Sequence, residues 1–337
     1  MQATPPPQLM LSATSLAVIA AESGLELLGP DREIRTLNYI AGPAQYADVQ
    51  LTYASTTTFA ADFARRGIAA CVVPRTLANA VPAGSSLLVT DDDPIDAFYG
   101  IFTSLVGAGR WQTLPESRGD GVRIARSAVV HDGVHLGDGC RIMDNAVILP
   151  NSWLGDGVVV KPNAVIGGDG FEVKTIGGRR RVVPHAGGVW LGDDVEVGSN
   201  TCIDRGLFGE FTAVGPGSKV DNLVHIAHRA TIGAGCSIIA CAEVSGSVVL
   251  GDNVWIGPNA SINQGLTLGD HSFVGTGSVV TRPVPAHALV YGSPAKAGGW
   301  LCSCRTALKV ADGVAACGAC GRTYQVDSAG GVMPSPR

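Results

Sequence analysis

Four polar residues within a short stretch of the chain could support acid–base chemistry. The stretch, residues 220–230, reads Val-Asp-Asn-Leu-Val-His-Ile-Ala-His-Arg-Ala. His228 has the side chain that most often takes a proton from a nucleophile, and the carboxylate of Asp221 could fix its tautomer and support the imidazolium. Asn222 and His225 could contact a substrate. The stretch is therefore a candidate catalytic centre with His228 as general base.

Two other interpretations of these residues remain open. Exposed turns of a repeat protein accept polar residues that have no function. Alternatively, His225, His228 and Asp221 could hold a metal ion in the manner of a zinc hydrase, although no obvious third histidine ligand is present. The sequence alone does not separate these alternatives from catalysis.

A second candidate site is the glycine-rich stretch of residues 167–188. Loops that leave a rigid scaffold often hold substrate, and Phe171 and His185 in this loop are candidate substrate contacts. The three consecutive arginines at 179–181 could pair with phosphate groups. A run of arginines in a turn is more often solvated, and we expect this for two of the three.

Four of the nine cysteines are close together near the end of the chain. A CxC pair and a CxxC pair, twelve residues apart, consist of Cys302, Cys304, Cys317 and Cys320. Two such pairs are typical of a zinc ion held by four thiolates, a closed site with no open position for substrate. We therefore expect a structural zinc in a zinc-ribbon-like segment over residues 299–327, followed by a frayed tail over residues 328–337.

An aliphatic repeat must position the candidate residues. Aliphatic side chains recur every six residues over 124–166, 191–203 and 214–280, with a slip of one position between 203 and 214. Neither a helix face nor an alternating strand has this period. Three hexads would instead form one triangular turn of a parallel β-helix, a β-solenoid with aliphatics inside and Gly and Asn at the corners with positive φ. By this arithmetic we expect Asp221, Asn222 and His228 to converge at one edge.

Composition limits the possible function classes. The chain has 45 glycines among 337 residues, 46% hydrophobic residues and only 16% charged residues, which excludes a disordered chain. The net charge of −5 provides no basic field, so we expect no nucleic-acid partner. Polar residues interrupt every apolar run, and residues 1–9 lack the charged start of a signal peptide. We therefore expect no membrane insertion and a cytoplasmic location.

The part of the chain before the repeat has a different pattern. Residues 1–117 are predicted to form a small α/β domain, with a helix capped by Ser15 and a buried strand within 67–74. Residues 118–298 would then form the β-helix, from which residues 167–188 leave as an excursion loop.

Four motifs of the central third are together similar to motifs of the left-handed β-helix acyltransferases, and specifically of the UDP-3-O-acylglucosamine N-acyltransferases of lipid A synthesis. They are Gly-Asp-Gly-Phe at 168–171, Gly-Asp-Asp-Val-Glu-Val-Gly at 192–198, Ile-Asp-Arg-Gly at 203–206 and Asp-Asn-Leu-Val-His-Ile-Ala-His at 221–228. The resemblance implies a left-handed coil and a homotrimer with active sites between subunits. It also implies that His228 is the base, that Asp221 orients it and that Asn222 contacts the sugar.

The α/β domain resembles the uridine-binding domain of the same enzymes. Their Phe-x-x-Asn-x-x-Tyr motif appears here as Tyr53, Thr56 and Phe59. The resemblance implies that the two aromatic rings enclose a nucleotide base, and Thr56 in place of the amide leaves the identity of the base open. Two further departures are Gln264-Gly265, where the family has Gly-His near the acyl donor, and His185, where it has Gln.

The end of the repeat resembles a different set of enzymes. Tyr-Gly-Ser-Pro-Ala-Lys at 291–296, followed by Gly299 and Trp300, is similar to the ending of acyl-CoA-dependent N-acetyltransferases that act on nucleotide-linked amino sugars. This resemblance implies an acyl-CoA donor. The residues that would contact the donor are Gly292, Ser293, Pro294, Ala295 and Lys296.

Together these patterns predict an N-acyltransferase that moves an acyl group from a thioester, with acyl-CoA preferred, to the amine of a nucleotide-linked amino sugar. One alternative is the lipid A enzyme itself, with a hydroxyacyl chain delivered by acyl carrier protein. Further alternatives are a metal-dependent hydrase of the carbonic anhydrase type and a scaffold without catalytic activity.

Overall fold

The computed structural model describes residues 6–311, 313–326 and 332–334. Residues 117–300 wind into a coil with three faces, each of which is a β-sheet. Each short strand pairs in parallel with a strand one coil turn later, usually 18 residues along the chain, as Val129 does with Val147. Three hexads therefore make one turn, which confirms the predicted parallel β-helix.

The faces are named A, B and C in the order in which the chain enters them. Face A consists of Ser117–Arg118, His135–Leu136, Ser152–Leu154, Gly188–Leu191, Phe211–Val214, Thr231–Ile232, Val249–Leu250 and Thr267–Leu268. Face B consists of Arg123–Ile124, Arg141–Ile142, Val159–Val160, Glu196–Val197, Lys219–Val220, Ser237–Ile238, Trp255–Ile256, Phe273–Val274, Ala288–Tyr291 and the antiparallel Lys296–Trp300. Face C consists of Val129–Val130, Val147–Ile148, Val165–Gly168, Cys202–Asp204, His225–Ile226, Glu243–Val244, Ser261–Ile262 and Val279–Val280.

The aliphatic side chains of the repeat fill the interior of the coil. Ile148, Ile166, Ile203 and Ile226 are fully buried within one continuous cluster. Each such side chain stabilises the fold by about 1.5–3 kcal/mol. Corner residues such as Asn163, with φ of 63°, have the left-handed conformation predicted for Gly and Asn.

Two loops leave the coil at the corner between faces C and A, which we call the C–A corner. The longer loop contains an antiparallel hairpin of Val173–Ile176 and Arg179–Val182, and it confirms the predicted interruption of the repeat. The three arginines at 179–181 are all exposed, one more than expected. The shorter loop, residues 205–210, explains the slip in the six-residue period.

The N-terminal part of the chain forms a five-stranded sheet flanked by helices. In spatial order the strands are Glu26–Leu28, Ser86–Thr90, Ala70–Pro74, Gln50–Tyr53 and Thr36–Leu37, of which only the first is antiparallel to its neighbour. The helices are Leu16–Ser23, Thr57–Arg65 and Pro94–Gly107, with 3₁₀ helices at Ala44–Val49 and Arg75–Ala80 and a separate strand pair of Thr14–Ser15 with Glu33–Ile34. The Ser15 hydroxyl accepts the N–H groups of Ala17 and Val18, so the predicted helix cap is confirmed.

The shorter loop joins the N-terminal part to the coil. Phe208 from this loop is fully buried, and its ring centroid lies 5.0 Å from that of Phe102 and 5.1 Å from that of Tyr39. Next to it, the carbonyl of Gly209 accepts the N–H of Leu9 at 2.8 Å. Because these contacts belong to one hydrophobic cluster, the α/β part packs directly against the C–A corner.

The C-terminal part forms a small antiparallel sheet. Its strands are Lys309–Ala311, Val314–Ala316, Thr323–Val326 and Val332–Pro334, in that order. Val332 is 1% exposed, so part of the segment predicted to fray is instead the edge strand of this sheet. The rest of that segment, residues 328–331 and 335–337, lies outside the described residues. Among the helices that the structure describes, none combines the length and the apolar character required to cross a bilayer.

Candidate active site

His228 lies at the C–A corner, directly after the strand His225–Ile226. The longer loop leaves the coil at this same corner two turns earlier, after Val165–Gly168, and returns at Gly188–Leu191. It therefore covers His228, whose exposed fraction is 8%. The loop and the predicted base form one buried site.

Loop residues enclose the His228 ring. The ring of His185 packs edge-on against it, with centroids 5.2 Å apart and an angle of 76° between the planes. The Glu172 carboxylate lies 3.9 Å from Nε2 of His228, beyond hydrogen-bonding distance, and pairs with Lys174 at 2.6 Å. Gly246, from the next coil turn, lies on another side of the ring, where a Cβ would be 3.1 Å from Nε2.

Burial determines the protonation state of both histidines. It is the largest cause that lowers the pKa of His228 below its ordinary value of 6.5, and the neighbouring His185 lowers it further. Burial also lowers the pKa of His185. Both rings are therefore neutral near pH 7, and a neutral imidazole is the form that can accept a proton.

The structure corrects the expected convergence of Asp221 and Asn222 with His228. Asp221 and Asn222 follow the strand Lys219–Val220 of face B, so within one chain they lie at the corner between faces B and C. The Asp221 carboxylate accepts the N–H groups of Asn222 at 2.7 Å and Ala240 at 3.2 Å, and the Asn222 side-chain carbonyl accepts the N–H of Ser199. Both side chains stabilise a turn, and neither orients His228 of the same chain.

His225 also lies apart from His228. Its side chain points outward from face C and is 47% exposed, and its Nε2 donates to the Asp204 carboxylate at 2.9 Å. This hydrogen bond is the main cause that raises the pKa of His225. Among the described residues, only the four cysteines form a group of three or more metal-binding side chains close enough to share an ion, so the arrangement required for a hydrase at His225 and His228 is not formed within the chain.

Several neighbours of the site were missed by the sequence analysis. Glu172 follows the predicted contact Phe171 in a loop without periodicity, and no spacing signal marked it. Arg205 was present in a quoted motif, and its Nε donates to the carbonyl of Gly167 at 2.6 Å, which anchors the start of the loop. Arg229 pairs with Glu210 at 3.2 Å and lies 4.9 Å from the centre of the Tyr39 ring.

The predicted aromatic pair of the α/β part lines an open pocket. Tyr53 and Phe59 face this pocket together with Tyr39, Ile40, Ala41, Asp62 and Arg66. Thr56 does not line it, because its hydroxyl caps the helix Thr57–Arg65 by accepting the N–H of Phe59 at 3.3 Å. Since Tyr39 also contacts Arg229, the pocket adjoins the C–A corner.

Two predicted contacts lie on the surface. Phe171 is 80% exposed at the edge of the loop that covers His228. Residues 292–296 form the exposed turn between Ala288–Tyr291 and Lys296–Trp300 at the end of face B. This turn is four strands beyond Lys219–Val220, roughly 19 Å along the coil. One chain therefore does not bring the predicted donor contacts to His228.

The four cysteines meet at one point in the C-terminal part. Their sulfur atoms all lie within 4.8 Å of one another, with Cys302–Cys320 and Cys304–Cys317 each at 3.5 Å. A tetrahedral zinc with bonds of about 2.3 Å places sulfurs about 3.8 Å apart, so the geometry fits this ion. All four are free thiols in the structure.

Comparison with known protein families finds the same six-residue repeat that the sequence and the fold show. The family of bacterial transferase hexapeptide repeats, described as six repeats, matches residues 133–168 and 247–282. The chain carries the hexapeptide repeat of bacterial transferases. The match supports a left-handed coil, and the chain resembles acyltransferases that have this repeat.

Several curated proteins with similar sequences share the name UDP-3-O-acylglucosamine N-acyltransferase. UDP-3-O-acylglucosamine N-acyltransferase of Methylobacterium sp. (strain 4-46) is 40% identical over 131 residues, which is 39% of this hexapeptide-repeat protein and 37% of the relative. UDP-3-O-acylglucosamine N-acyltransferase 2 of Nitrobacter winogradskyi is 55% identical over 75 residues, 22% of each chain. The matched regions therefore span 37% of the first relative and 22% of the second, well under two thirds of either. A solved UDP-N-acetylglucosamine acyltransferase of Campylobacter jejuni superposes with a TM-score of 0.45 at 21% identity, over 53% of this chain and 75% of the other.

Proposed function

We propose that this protein is an N-acyltransferase that moves an acyl group from a thioester to the amine of a nucleotide-linked amino sugar. The observation that carries the proposal is His228, a buried and neutral imidazole beneath a loop that leaves the coil at the C–A corner. The names of the relatives support the same reaction class.

The assigned step is proton transfer at Nε2 of His228. The sugar amine attacks the thioester carbon, and Nε2 takes the proton that the nitrogen loses. The tetrahedral intermediate then collapses, the carbon–sulfur bond breaks, and the same proton passes to the thiolate. The products are an amide and a thiol, and His228 returns to its neutral form.

Gly246 is assigned as the oxyanion donor. It belongs to a turn next to the His228 ring, and the absence of a side chain lets its backbone approach the reacting centre. A backbone N–H aimed at the developing oxyanion stabilises the transition state without reorganisation.

The nucleotide is assigned to the pocket lined by Tyr53 and Phe59. Two aromatic rings provide stacking surfaces for a base, and Arg66 at the rim can pair with a phosphate. The contact of Tyr39 with Arg229 joins this pocket to the catalytic corner. A nucleotide bound there would direct its sugar toward His228.

Of the two amino-sugar enzymes that the sequence left open, the relatives favour the UDP-3-O-acylglucosamine type over a short-chain transferase that uses acyl-CoA. We therefore propose UDP-3-O-acylglucosamine as acceptor and a hydroxyacyl thioester of acyl carrier protein as donor. The exposed turn at 292–296 remains the candidate donor contact of the acyl-CoA alternative. We also propose a homotrimer, which the resemblance implies, and a structural zinc on the four cysteines.

The deciding experiment compares wild type with His228→Gln on two pairs of substrates. One pair is a hydroxyacyl thioester of acyl carrier protein with UDP-3-O-acylglucosamine, and the other is a short acyl-CoA with a nucleotide-linked amino sugar. Wild type should transfer the hydroxyacyl chain from carrier protein to UDP-3-O-acylglucosamine, and His228→Gln should lower kcat by about 10²–10⁴-fold. The exposed His131, changed to Gln, serves as the matched control. Turnover only with short acyl-CoA would select the alternative enzyme, and full activity of His228→Gln would refute the assignment of the base.

A further inference from the structure

Two buried ring nitrogens at the C–A corner lack hydrogen-bond partners. They are Nε2 of His185 and Nδ1 of His228, each without a partner among the described residues. The two residues are 4% and 8% exposed, and their rings are in edge-to-face contact. Because buried polar atoms are normally paired, two unpaired nitrogens on touching rings indicate a contact that forms at another stage of the reaction.

The tautomer of His185 follows from its other nitrogen. Nδ1 lies 3.0 Å from the carbonyl oxygen of Val183, which can only accept, so Nδ1 carries the hydrogen. In the neutral ring Nε2 then has a free lone pair. His185 therefore offers a hydrogen-bond acceptor beside His228.

His228 requires such an acceptor. If Nε2 of His228 is the free base, Nδ1 carries the hydrogen and has no acceptor in the part of the chain that the structure describes. The charged and titratable groups that face His228 are His185, Glu172, Arg229 and Asp204. Glu172 lies on the Nε2 side and is paired with Lys174, and Asp204 is hydrogen-bonded to His225. Asp221, to which the sequence assigned the orienting role, lies at a different corner.

We propose that His185 is a positioning residue for His228: its Nε2 accepts the Nδ1–H of His228, holds the tautomer in which Nε2 is the base, and stabilises the imidazolium. A Cβ at Gly170 would be 2.8 Å from Cδ2 of His228 and 2.9 Å from Nε2 of His185, so the Cδ2 edge of the ring lies on the side of His185. A half-turn of the His228 ring about its Cβ–Cγ bond exchanges Cδ2 with Nδ1 and directs Nδ1 to that side. His185 takes no proton, since the transferred proton passes through Nε2 of His228 to the leaving thiolate. This inference rests on the proposed function.

Two variants of His185 test the inference. His185→Leu removes the acceptor at similar volume, whereas His185→Gln retains an acceptor in its amide oxygen. His131→Leu and His131→Gln, at an exposed site, are the matched controls. The tautomer and pKa of His228 are followed by nitrogen-15 NMR of labelled histidine, and kcat and KM are measured across the pH range.

The sign of the pKa change is decisive. An acceptor stabilises the imidazolium, so His185→Leu should lower the pKa of His228 by about one unit or more, and His185→Gln should restore part of it. If His185 acted only as a like charge, its removal would raise the pKa instead. We expect kcat of His185→Leu to fall about 10- to 100-fold with little change in KM, and the Gln variant to recover activity.

Measurements that need no substrate separate this inference from the proposed function. In wild type, His228 should be in the Nδ1–H tautomer; an Nε2–H tautomer, or an unchanged or raised pKa in His185→Leu, would overturn the pairing. The wild-type tautomer decides the question even if His185→Leu fails to fold. If the pKa responds as expected but no nucleotide-linked amino sugar is acylated, the positioning role in the proposed reaction is rejected together with that function.

Discussion

Gly170 lies directly against His228, in a space where no side chain fits. A Cβ at this position would be 2.8 Å from Cδ2 of His228 and 2.9 Å from Nε2 of His185. Both rings are buried, so neither can leave this space, although a ring can still turn about its own Cβ–Cγ bond. The backbone of the loop is thus the surface that holds the two imidazoles in place.

Substitution at Gly170 should therefore reduce both catalysis and stability. We expect Gly170→Ala to lower kcat/KM by about 10- to 100-fold, because the added methyl group displaces the base, at a stability cost of about 1–3 kcal/mol. Steady-state kinetics and urea unfolding measure the two effects. Gly168→Ala, whose Cβ would meet only Val165 at 4.0 Å, is the control, and equal kinetic losses in the two variants would contradict the expectation.

The His225–Asp204 pair should make stability depend on pH. Its hydrogen bond raises the pKa of His225 in the folded protein above the unfolded value of about 6.5. The stabilisation is therefore fully present below pH 6.5 and is lost as pH rises through the folded pKa. Asp204→Asn should lower the melting temperature more at pH 5.5 than at pH 9. In a protein that also carries His225→Gln, Asp204→Asn should lower the melting temperature equally at the two pH values. If the loss is still larger at pH 5.5, the pH dependence belongs to another group.

The cysteine cluster should bind one zinc ion per chain. Removal of one thiolate leaves an incomplete site, so Cys317→Ser should lose the metal and lower the melting temperature. Elemental analysis and a chelator-release assay measure the metal content. Cys241→Ser, at an exposed cysteine outside the cluster, should keep the full zinc content. Equal zinc content in both variants would rule out a site at these four residues.

The aromatic pocket should respond to a nucleotide. Tyr53→Ala removes a stacking surface, and we expect at least a tenfold weaker Kd for UDP with little change in kcat at saturation. Isothermal titration with UDP and GDP measures the affinity and the choice of base. Tyr46→Ala, on a 3₁₀ helix outside this pocket, is the control. Unchanged affinity in Tyr53→Ala would place the nucleotide elsewhere.

Phe208 should be one of the side chains that most strongly stabilise the packing of the α/β part against the coil. Phe208→Ala leaves a cavity among Tyr39, Phe102 and their neighbours, and we expect a loss of about 3–5 kcal/mol. Denaturant unfolding followed by circular dichroism measures it. Phe273→Ala, on the outer side of face B, should cost less because that ring is partly exposed. A larger loss at Phe273 would contradict this account.

The six-residue period predicted the coil because every hexad repeats the same local geometry. It predicted the interior aliphatics such as Ile148 and the interruption at 167–188 for the same reason. The period does not distinguish the three corners of a turn, since Asn222 and His228 occupy equivalent hexad positions. This is why Asp221 and Asn222 were placed beside His228, although they stabilise the turn at the preceding corner.

The surroundings of His228 depend on tertiary packing that no period records. Glu172 and His185 belong to an irregular loop, and only the contact with the coil brings them to the ring. The resemblance identified His185 as a departure from the family pattern but gave no indication of its edge-to-face contact. Similarly, Thr56 was assigned to a nucleotide from its place in a motif, whereas its hydroxyl caps a helix.

The insertion of Phe208 also determines how the chain can be divided. Cutting after Ser117 would separate the coil at the boundary predicted from the sequence. It would also expose the ring of Phe208, which is fully buried in the whole protein. The N-terminal fragment would in turn lose the ring that completes its aromatic cluster. Exchange of the α/β part between related enzymes should therefore succeed only when the short loop at 205–210 is transplanted with it.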